Sequence, residues 1–416
     1  MAHPAGFPRL RLAVVSPFLD RQHGTERVIL EQIQRLAERG DTEIHIYAQQ
    51  LADLPGVLNY HPGKQQSGRI FWHKVPRLPG PHLFGYLWWF LANQIWRWRD
   101  AHYRGLVYDV VYSPGLNALD ADVIAVHIVF HEFYRRIYGH LGLAGSAPGS
   151  WPRLIHRRLY YRLIMALERR VYRRPGLQLV AVSQLVAGHL ERFFHRNDVC
   201  VIPNAVDTDR FNPQVRARSR EAARAELQLP PDIFALLLVG NDWAKKGLEA
   251  LLHCLAECRE LPIRLLVVGN DDRQIFSPII DRLNLQHHVR FHGPAKDIER
   301  FYGAADVYAG PSLEDSFALP PLEAMACGLP VITSVNNGGA QIITEAEDGF
   351  VLQDPRDIPA LAGLIRRLYT DRAFCARIGD NAALTARKYS WECNAQETWN
   401  VLLSAERKKA GRLETA

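Results

Sequence analysis

Short apolar runs alternate with amphipathic stretches along most of the 416 residues. Residues 10–17 and 233–240 are apolar runs with the length of a buried strand, and each leads into a polar loop and a helical pattern. Such β–α alternation predicts parallel sheets covered by helices. A chain of this length should form two domains, and we expect them at residues 1–182 and 183–390, with a crossover helix and tail at residues 391–416.

Residues 309–350 carry the polar pattern that is most informative about function. Asp315 and Glu323 stand eight residues apart, and a helix is predicted to begin between them, near Ala318. The free amides and the positive dipole end of such a helix start favour an anion. Carboxylates accept hydrogen bonds from hydroxyl groups, so the pattern suits a polyol that carries a phosphate, such as a nucleotide sugar. On spacing alone, an equally good interpretation is that Asp315 caps the helix and Glu323 is solvated.

Residues 311–331 read PSLEDSFALPPLEAMACGLPV. This frame resembles the donor-site signature of retaining, metal-independent glycosyltransferases of the GT-B fold, the family 4 group, which reads P-S-x-x-E-G-F-G-L-P-x-L-E-A-M-A-C-G-x-P-V. Three positions depart from it: Asp315 replaces the first glutamate, and Ser316 and Ala318 replace two glycines. A carboxylate is kept at position 315, but its side chain is one methylene shorter.

The resemblance implies an α/β chain of the GT-B fold, with two doubly wound Rossmann-like domains facing across a cleft and a C-terminal helix packing back across their junction. It implies transfer of a sugar from a nucleoside-diphosphate sugar to a hydroxyl acceptor with retention at the anomeric carbon, without a metal or another cofactor. In the family frame, Glu323 binds the ribose hydroxyls and Asp315 binds the hydroxyls of the donor sugar. The backbone amides of Phe317, Ala318 and Leu319 hold the diphosphate.

Two lysines, Lys245 and Lys246, lie in a predicted strand-to-helix turn that ends at Gly247. Such lysines can neutralise a diphosphate, although most surface lysine pairs are merely solvated. The turn resembles the family motif V-G-R-x-x-x-x-K-G, in which Lys246 matches the lysine. Asn241 replaces the arginine of that motif, and we expect Lys245 to supply the missing charge.

In the first half of the chain, Gly24 and His127 are the candidate site residues. Gly24 stands at a predicted helix start, where a glycine allows a phosphate or sugar to approach the backbone closely. Its loop resembles the family's G-G-x-E-R pattern. His127 follows a predicted strand and therefore faces the ligand edge of the sheet. It resembles the histidine that family 4 enzymes place near the transferred sugar, although His131 and His140 are close alternatives.

The charge of the chain is uneven. Residues 1–200 contain 25 Lys and Arg against 15 Asp and Glu, a net of +10, so the remaining residues carry −4 of the total of +6. Eight arginines lie within residues 151–174, among aromatic residues, and residues 83–98 add four tryptophans: Trp88, Trp89, Trp96 and Trp98. This mixture predicts contact with an anionic membrane surface and a lipid-linked or other glycan acceptor of the cell envelope, as in polysaccharide biosynthesis. The alternatives are a core helix at residues 83–98, a solvated arginine face, or nucleic acid, which we consider a poor fit.

All six cysteines lie at or beyond Cys200 without a C-x-x-C pair, and no apolar run reaches the length of a membrane span. We therefore expect a cytoplasmic protein, peripheral at most on the inner face of the membrane. Asp207 and Asp209 form a D-x-D pair of the kind that can hold a divalent cation, but they lie within a stretch that resembles the family's V-I-P-N-G-V-D motif. Two other functions stay open: a nucleotide-sugar epimerase or hydrolase on the same scaffold, and a non-enzymatic sensor.

Overall fold

The computed structural model describes residues 10–21, 24–52, 54–59, 69–80, 82–137 and 151–415. The chain divides into two compact units. The first unit contains Met1–Ile202 together with Asn394–Ala416, and the second unit contains Pro203–Cys393. Both are α/β units.

The first unit has parallel strands with helices between them. Its strands are β1 (Leu10–Val15), β2 (Phe18–Leu19), β3 (Thr42–Ala48), β4 (Gln50–Leu51), β5 (Val57–Asn59), β6 (Ile70–Lys74), β7 (Val110–Pro114), β8 (Val123–Val126), β9 (Gln178–Ala181) and β10 (Cys200–Val201). Its helices are α1 (Gly24–Glu38), α2 (His82–Arg104), α3 (Phe130–Ile137), α4 (Trp151–Tyr172) and α5 (Gln184–Phe194).

Eight of these strands form one parallel sheet in the order β10-β9-β8-β7-β1-β3-β6-β5, and β2 and β4 pair separately. The central strand β1 is almost entirely buried and pairs in parallel with β3 and β7. Strands that are covered on both faces are apolar throughout, which explains why residues 10–17 read as a continuous hydrophobic run.

The second unit repeats the same architecture with a smaller sheet. Its strands are β11 (Phe234–Val239), β12 (Ile263–Val268), β13 (Val289–His292), β14 (Val307–Ala309), β15 (Val331–Ser334) and β16 (Phe350–Leu352). Its helices are α6 (Pro213–Glu226), α7 (Leu248–Glu257), α8 (Ser277–Arg282), α9 (Glu299–Ala304), α10 (Leu319–Ala326), α11 (Ile358–Thr370) and α12 (Arg372–Ala386), with 3-10 turns at Arg273–Ile275 and Gly338–Ile342.

The six strands of the second unit are parallel and follow the order β13-β12-β11-β14-β15-β16. The chain builds outward from β11 in one direction through β12 and β13, and then returns to the other side of β11 with β14. The strand order therefore reverses between β11 and β14. In open α/β sheets, ligands bind outside the carboxyl ends of the strands at such a switch point.

The predicted domain boundary at residue 182 is wrong, because the first unit continues to Ile202. The prediction fails because β10 lies within the range predicted for the second domain, residues 183–390. Cys200 and Val201 pair in parallel with Val180 and Ala181 of β9, and therefore form the edge of the first sheet. A strand of two residues has no periodicity that a sequence pattern could reveal.

The last helix, α13 (Trp391–Thr415), belongs to the first unit from Asn394 onward. Trp399, Leu402 and Ala405 belong to the hydrophobic core of that unit. The buried amide of Gln32 donates to Asn394 Oδ1 at 2.8 Å, which fixes the start of this segment on α1. No helix in the described ranges is long and apolar enough to cross a membrane.

Candidate functional site

Two loops of the second unit meet at the switch point of its sheet. One loop, residues 240–247, follows β11 and leads to α7, and the other, residues 310–318, follows β14 and leads to α10. Because β11 and β14 are hydrogen-bonded neighbours, their carboxyl ends deliver both loops to one place. A backbone hydrogen bond of 2.7 Å from Leu313 N to Lys245 O joins the loops directly.

Lys246 and Asp315, one from each loop, form an ion pair between Nζ and Oδ2. Their side chains are only 18% and 15% exposed, so the two charges are poorly screened by solvent. The other oxygen, Oδ1, accepts a hydrogen bond of 3.2 Å from the Phe317 amide. The structure therefore places Asp315 in direct contact with two other predicted site residues, Lys246 and Phe317.

Gly247 makes the close approach of the two loops possible. Its φ is +88°, a left-handed conformation that L residues rarely adopt, and a Cβ atom at this position would collide with the backbone carbonyl of Pro311. The glycine that follows the two lysines is thus needed for the backbone of one loop to lie against the other.

Lys245 points to a different partner. Its ammonium lies 3.0 Å from Asp242 Oδ2, and both side chains are about half exposed. Asn241 replaces the arginine of the family motif. Its side-chain oxygen accepts a hydrogen bond of 2.8 Å from the backbone N–H of Asn270. Lys246 is therefore the lysine that the fold directs to Asp315, whereas Lys245 is a more solvent-accessible charge at the rim of the loop.

The backbone amides that we predicted as an anion site are largely engaged within the unit. The Phe317 amide donates to Asp315, and the Ala318 amide donates to Asn337 Oδ1 at 3.2 Å. Leu319 is the first residue of α10, where an amide has no acceptor within its own helix, and the two prolines that follow have no amide hydrogen. Of the three predicted amides, Leu319 is therefore the best placed to donate to an anion.

Asn337 organises this helix start, and sequence reasoning did not identify it. It is 1% exposed, and its Oδ1 also accepts from Gly339 N at 2.9 Å, while its Nδ2 donates to Thr333 Oγ1 at 3.1 Å. The Asn-Asn-Gly-Gly sequence at 336–339 signals a turn, but not that this turn caps a helix start 19 residues earlier.

Glu323 lies inside α10 and is 4% exposed, so the interpretation that it is solvated is wrong. Its Oε2 accepts a hydrogen bond of 2.7 Å from the hydroxyl of Tyr302, a fully buried residue of α9. Burial raises the pKa of the Tyr302 phenol well above its usual value, and the nearby Glu323 carboxylate adds to the effect. Tyr302 therefore remains a hydrogen-bond donor that holds this carboxylate in one orientation.

Asn204 ties the start of the second unit to the same loop. Its Nδ2 donates to Phe317 O at 3.2 Å, and the residue is 5% exposed. Its buried Oδ1 has no hydrogen-bond partner within the described ranges. The sequence placed Asn204 in a family-like motif without assigning it a contact.

The D-x-D pair has a structural role in the backbone. Asp207 Oδ1 accepts hydrogen bonds from the amides of Asp209 at 3.1 Å and Arg210 at 3.0 Å, as aspartates do in tight turns. Among the described residues, no three His, Cys, Asp or Glu side chains cluster as metal ligands.

In the first unit, His127 directly follows β8 and is 8% exposed. Its Nε2 is buried and has no hydrogen-bond partner in the part of the chain that the structure describes. Burial lowers the pKa of this imidazole to about 4, so His127 is neutral at pH 7. The alternative His131 is engaged: its Nδ1 lies 2.7 Å from the buried carboxylate of Glu168, and His140 is outside the described residues.

Gly24 is the first residue of α1, as predicted, and it is exposed. An added Cβ would meet no atom within 4 Å. The fold itself therefore does not demand a glycine here, and any need for one must come from a ligand.

Two family models match the chain. The model described as Glycosyltransferase Family 4 matches residues 23–210, and the model described as Glycosyl transferases group 1 matches residues 219–385. The chain is similar to a D-inositol 3-phosphate glycosyltransferase of Xylanimonas cellulosilytica, with 27% identity over 94% of this chain and 93% of the relative. A protein of the same name from Streptomyces bingchenggensis is 31% identical over 55% of this chain and 53% of the relative.

Solved structures share the fold over nearly the whole chain. WaaG, a glycosyltransferase involved in lipopolysaccharide biosynthesis, superposes with a TM-score of 0.71 at 20% identity, over 94% of this chain and 99% of WaaG. Anabaena Alr3699/HepE, solved in complex with UDP and glucose, has a TM-score of 0.67 at 19% identity, over 95% of this chain and 100% of that protein. At these identities the likeness establishes the GT-B fold.

The buried neutral state of His127 predicts a specific acid sensitivity. An unfolded histidine takes up a proton near pH 6.5, whereas folded His127 does so only near pH 4, so the unfolded state binds more protons in this interval. The free energy of unfolding should therefore fall as the pH is lowered from 7 to 4, by about 3 kcal/mol through this residue. His127→Asn should lack this component when urea unfolding is followed at both pH values. A His127 proton resonance in the NMR spectrum that titrates near pH 6.5 would contradict the prediction.

Proposed function

Since the chain belongs to the GT-B glycosyltransferases of group 1, we propose that it transfers a sugar from a nucleoside-diphosphate sugar to a hydroxyl group, with retention at the anomeric carbon. We propose a lipid-linked or other cell-envelope glycan as the acceptor. The observation that carries the donor assignment is the Lys246–Asp315 pair at the switch point of the second sheet. It combines a cation suited to phosphate with a carboxylate suited to sugar hydroxyls.

Each proposed donor contact follows from the chemistry of the side chain. Lys246, and Lys245 at the rim, would bind the diphosphate together with the Leu319 amide at the start of α10. Glu323 would accept hydrogen bonds from the ribose hydroxyls, because Tyr302 holds its carboxylate in one orientation and a carboxylate offers about four acceptor positions. Asp315 would accept hydrogen bonds from the donor sugar in the same way. In the first unit, we propose the neutral imidazole of His127 as a sugar-binding side chain.

In the proposed reaction, the bond between the anomeric carbon and the diphosphate oxygen breaks, and the acceptor oxygen bonds to that carbon on the same face. The acceptor proton passes to the departing diphosphate. Negative charge grows on this leaving group, so Lys246 and the dipole of α10 would stabilise the transition state more than the ground state. This positive charge supports a reaction without a metal ion.

The donor assignment predicts selective stabilisation by one class of nucleotide sugar. In a thermal-shift panel of UDP-, GDP-, ADP- and dTDP-sugars, a ligand at about 100 times its dissociation constant should add about 2.7 kcal/mol to the stability of the chain. Glu323→Gln should lose about 1–3 kcal/mol of that ligand's binding free energy, because it removes a charged acceptor for hydroxyl groups. Glu249→Gln, an exposed residue of α7, serves as the matched control and should bind like the wild type. Equal binding by the wild type and Glu323→Gln would refute the role of Glu323.

Metal independence predicts that transfer activity survives EDTA. The initial rate, measured as release of the nucleoside diphosphate, should be unchanged after chelation and after addition of Mg²⁺ or Mn²⁺. Loss of activity with EDTA and recovery with either ion would instead favour a cation at Asp207 and Asp209.

A membrane-facing acceptor is supported by an exposed apolar stripe on α2. The stripe consists of exposed side chains at intervals of three, four, four and three residues: Phe84, Leu87, Leu91, Ile95 and Trp98. Of the four tryptophans on which the sequence prediction rested, Trp98 belongs to this stripe. Trp89 is buried, and Trp88 donates its indole N–H to Pro76 O at 2.8 Å.

The neighbouring helix α4 carries exposed positive charge. The rings of Tyr86 on α2 and Tyr160 on α4 lie 5.4 Å apart, so the two helices are neighbours within the first unit. On α4, four exposed side chains combine apolar and basic character: Ile155, Leu159, Arg157 and Arg162. Apolar side chains that enter the lipid and arginines that meet anionic headgroups would together hold this surface on a membrane.

Membrane docking predicts flotation of the protein with anionic vesicles at low salt. Arg157→Glu with Arg162→Glu should abolish flotation, because each basic residue near an anionic surface contributes roughly 1 kcal/mol. Arg218→Glu with Lys388→Glu, two exposed residues of the second unit, makes the same charge change away from the stripe and should float normally. Absence of wild-type binding, or equal binding by both double variants, would refute the membrane surface.

A further inference from the structure

The carboxylate of Asp315 is engaged on both oxygens before any ligand is considered. Oδ2 pairs with Lys246, and Oδ1 accepts from the Phe317 amide. Its backbone is fixed as well: Asp315 N donates to Asn336 O at 2.9 Å, and Asp315 O accepts from Gly338 N at 2.9 Å. A short aspartate side chain on such a backbone cannot move far, so a diphosphate that approaches Lys246 must also approach this carboxylate.

We propose that Asp315 is a specificity-determining residue that makes the site favour an intact nucleotide sugar over the bare nucleoside diphosphate. This inference rests on the proposed function, because it assumes that Lys246 binds the diphosphate. It adds a second role for Asp315, directed against the product, to its role as an acceptor for sugar hydroxyls.

The discrimination follows from charge. In a nucleotide sugar both phosphates are esterified and carry one negative charge each. The terminal phosphate of the product has lost its sugar ester and is held only by the anhydride bond. Like a phosphate monoester, it has a second ionisable proton, which dissociates at about pH 6, so the product has about one more negative charge at pH 7. Asp315 therefore repels the product more strongly than the donor.

Hydrogen bonding adds to this difference. An ionised carboxylate only accepts hydrogen bonds and has about four acceptor positions, of which Lys246 and Phe317 occupy two. The hydroxyl groups of a donor sugar can donate to the remaining positions and offset the repulsion. The bare diphosphate has no hydroxyl at this place, so it meets the carboxylate without compensation.

Lys246 is the common partner in this competition. Asp315 neutralises part of its charge in a poorly solvated setting, where both side chains are less than one-fifth exposed. When the carboxylate is removed, the full lysine charge becomes available to a phosphate. The affinity for the product should then rise although the affinity for the donor falls, which is the opposite of what loss of a simple binding residue would do.

The test compares UDP with UDP-glucose by titration calorimetry of the full-length chain, with GDP and GDP-mannose as a second pair. Asp315→Asn should bind the nucleoside diphosphate at least threefold more tightly and the nucleotide sugar at least threefold more weakly, so that the ratio of the two affinities changes about ninefold or more. The increase in affinity for the nucleoside diphosphate should become smaller as the NaCl concentration is raised, because salt screens charges. Asp315→Glu keeps the negative charge. This variant should therefore prefer the same ligand, nucleotide sugar or nucleoside diphosphate, that the wild type prefers.

Two further variants make the assignment specific. Glu314→Gln removes the neighbouring negative charge and should leave the ratio unchanged. Lys246→Ala should weaken both ligands, and adding Asp315→Asn to it should give no gain for the diphosphate. Circular dichroism of each variant establishes folding, and if Asp315→Asn fails to fold, the Asp315→Glu and Lys246→Ala titrations still decide the matter.

Weaker or unchanged diphosphate binding in Asp315→Asn would overturn this inference and leave the proposed function in place. Reversal of the preference in Asp315→Glu, or undiminished diphosphate binding in Lys246→Ala, would overturn it as well. A wild-type chain that binds none of these four ligands, and none of ADP, dTDP and their sugars, would refute the inference together with the nucleotide-sugar assignment.

Discussion

The candidate site depends on one topological constraint, the parallel pairing of β11 with β14. Parallel neighbours cannot be joined by a tight turn and need a crossover connection. Here about seventy residues of chain separate the two strands, but their carboxyl ends lie side by side because the strands pair in parallel. Lys246 and Asp315, 69 positions apart, meet for this reason alone. Everything else around them refines that meeting: Gly247 lets the loops touch, and Asn337 and Asn204 fix the second loop at Ala318 and Phe317.

The sequence predicted the elements well where the apolar pattern is long. The first strand and the alternation of the second unit were both predicted, because buried parallel strands leave continuous apolar runs. The boundary failed where the deciding element was a strand of two residues. The GT-B fold and the glycosyltransferase family are confirmed, whereas the roles of the individual site residues stay predictions.

Side-chain partners were harder to predict than positions. The motif placed Asp315, Lys246 and Glu323 on the correct loops and helix, but no local pattern could show that the first two pair with each other or that Tyr302 holds the third. Aromatic residues on α2 posed a similar problem. Counting tryptophans could not tell which face of the helix is buried. The buried face includes Trp89, whereas the exposed face includes Phe84 and Leu91.

Helix α13 affects the order in which the two units can complete their folding during synthesis. Trp399, Leu402 and Ala405 complete the hydrophobic core of a unit whose other core residues end at Ile202. A ribosome synthesises the whole second unit before it reaches them. The amino-terminal unit emerges first. Part of its apolar core therefore stays uncovered until α13 has been synthesised. The carboxyl-terminal unit, built from one uninterrupted segment, has its core residues within reach as soon as they emerge, and it can finish folding before the unit that precedes it.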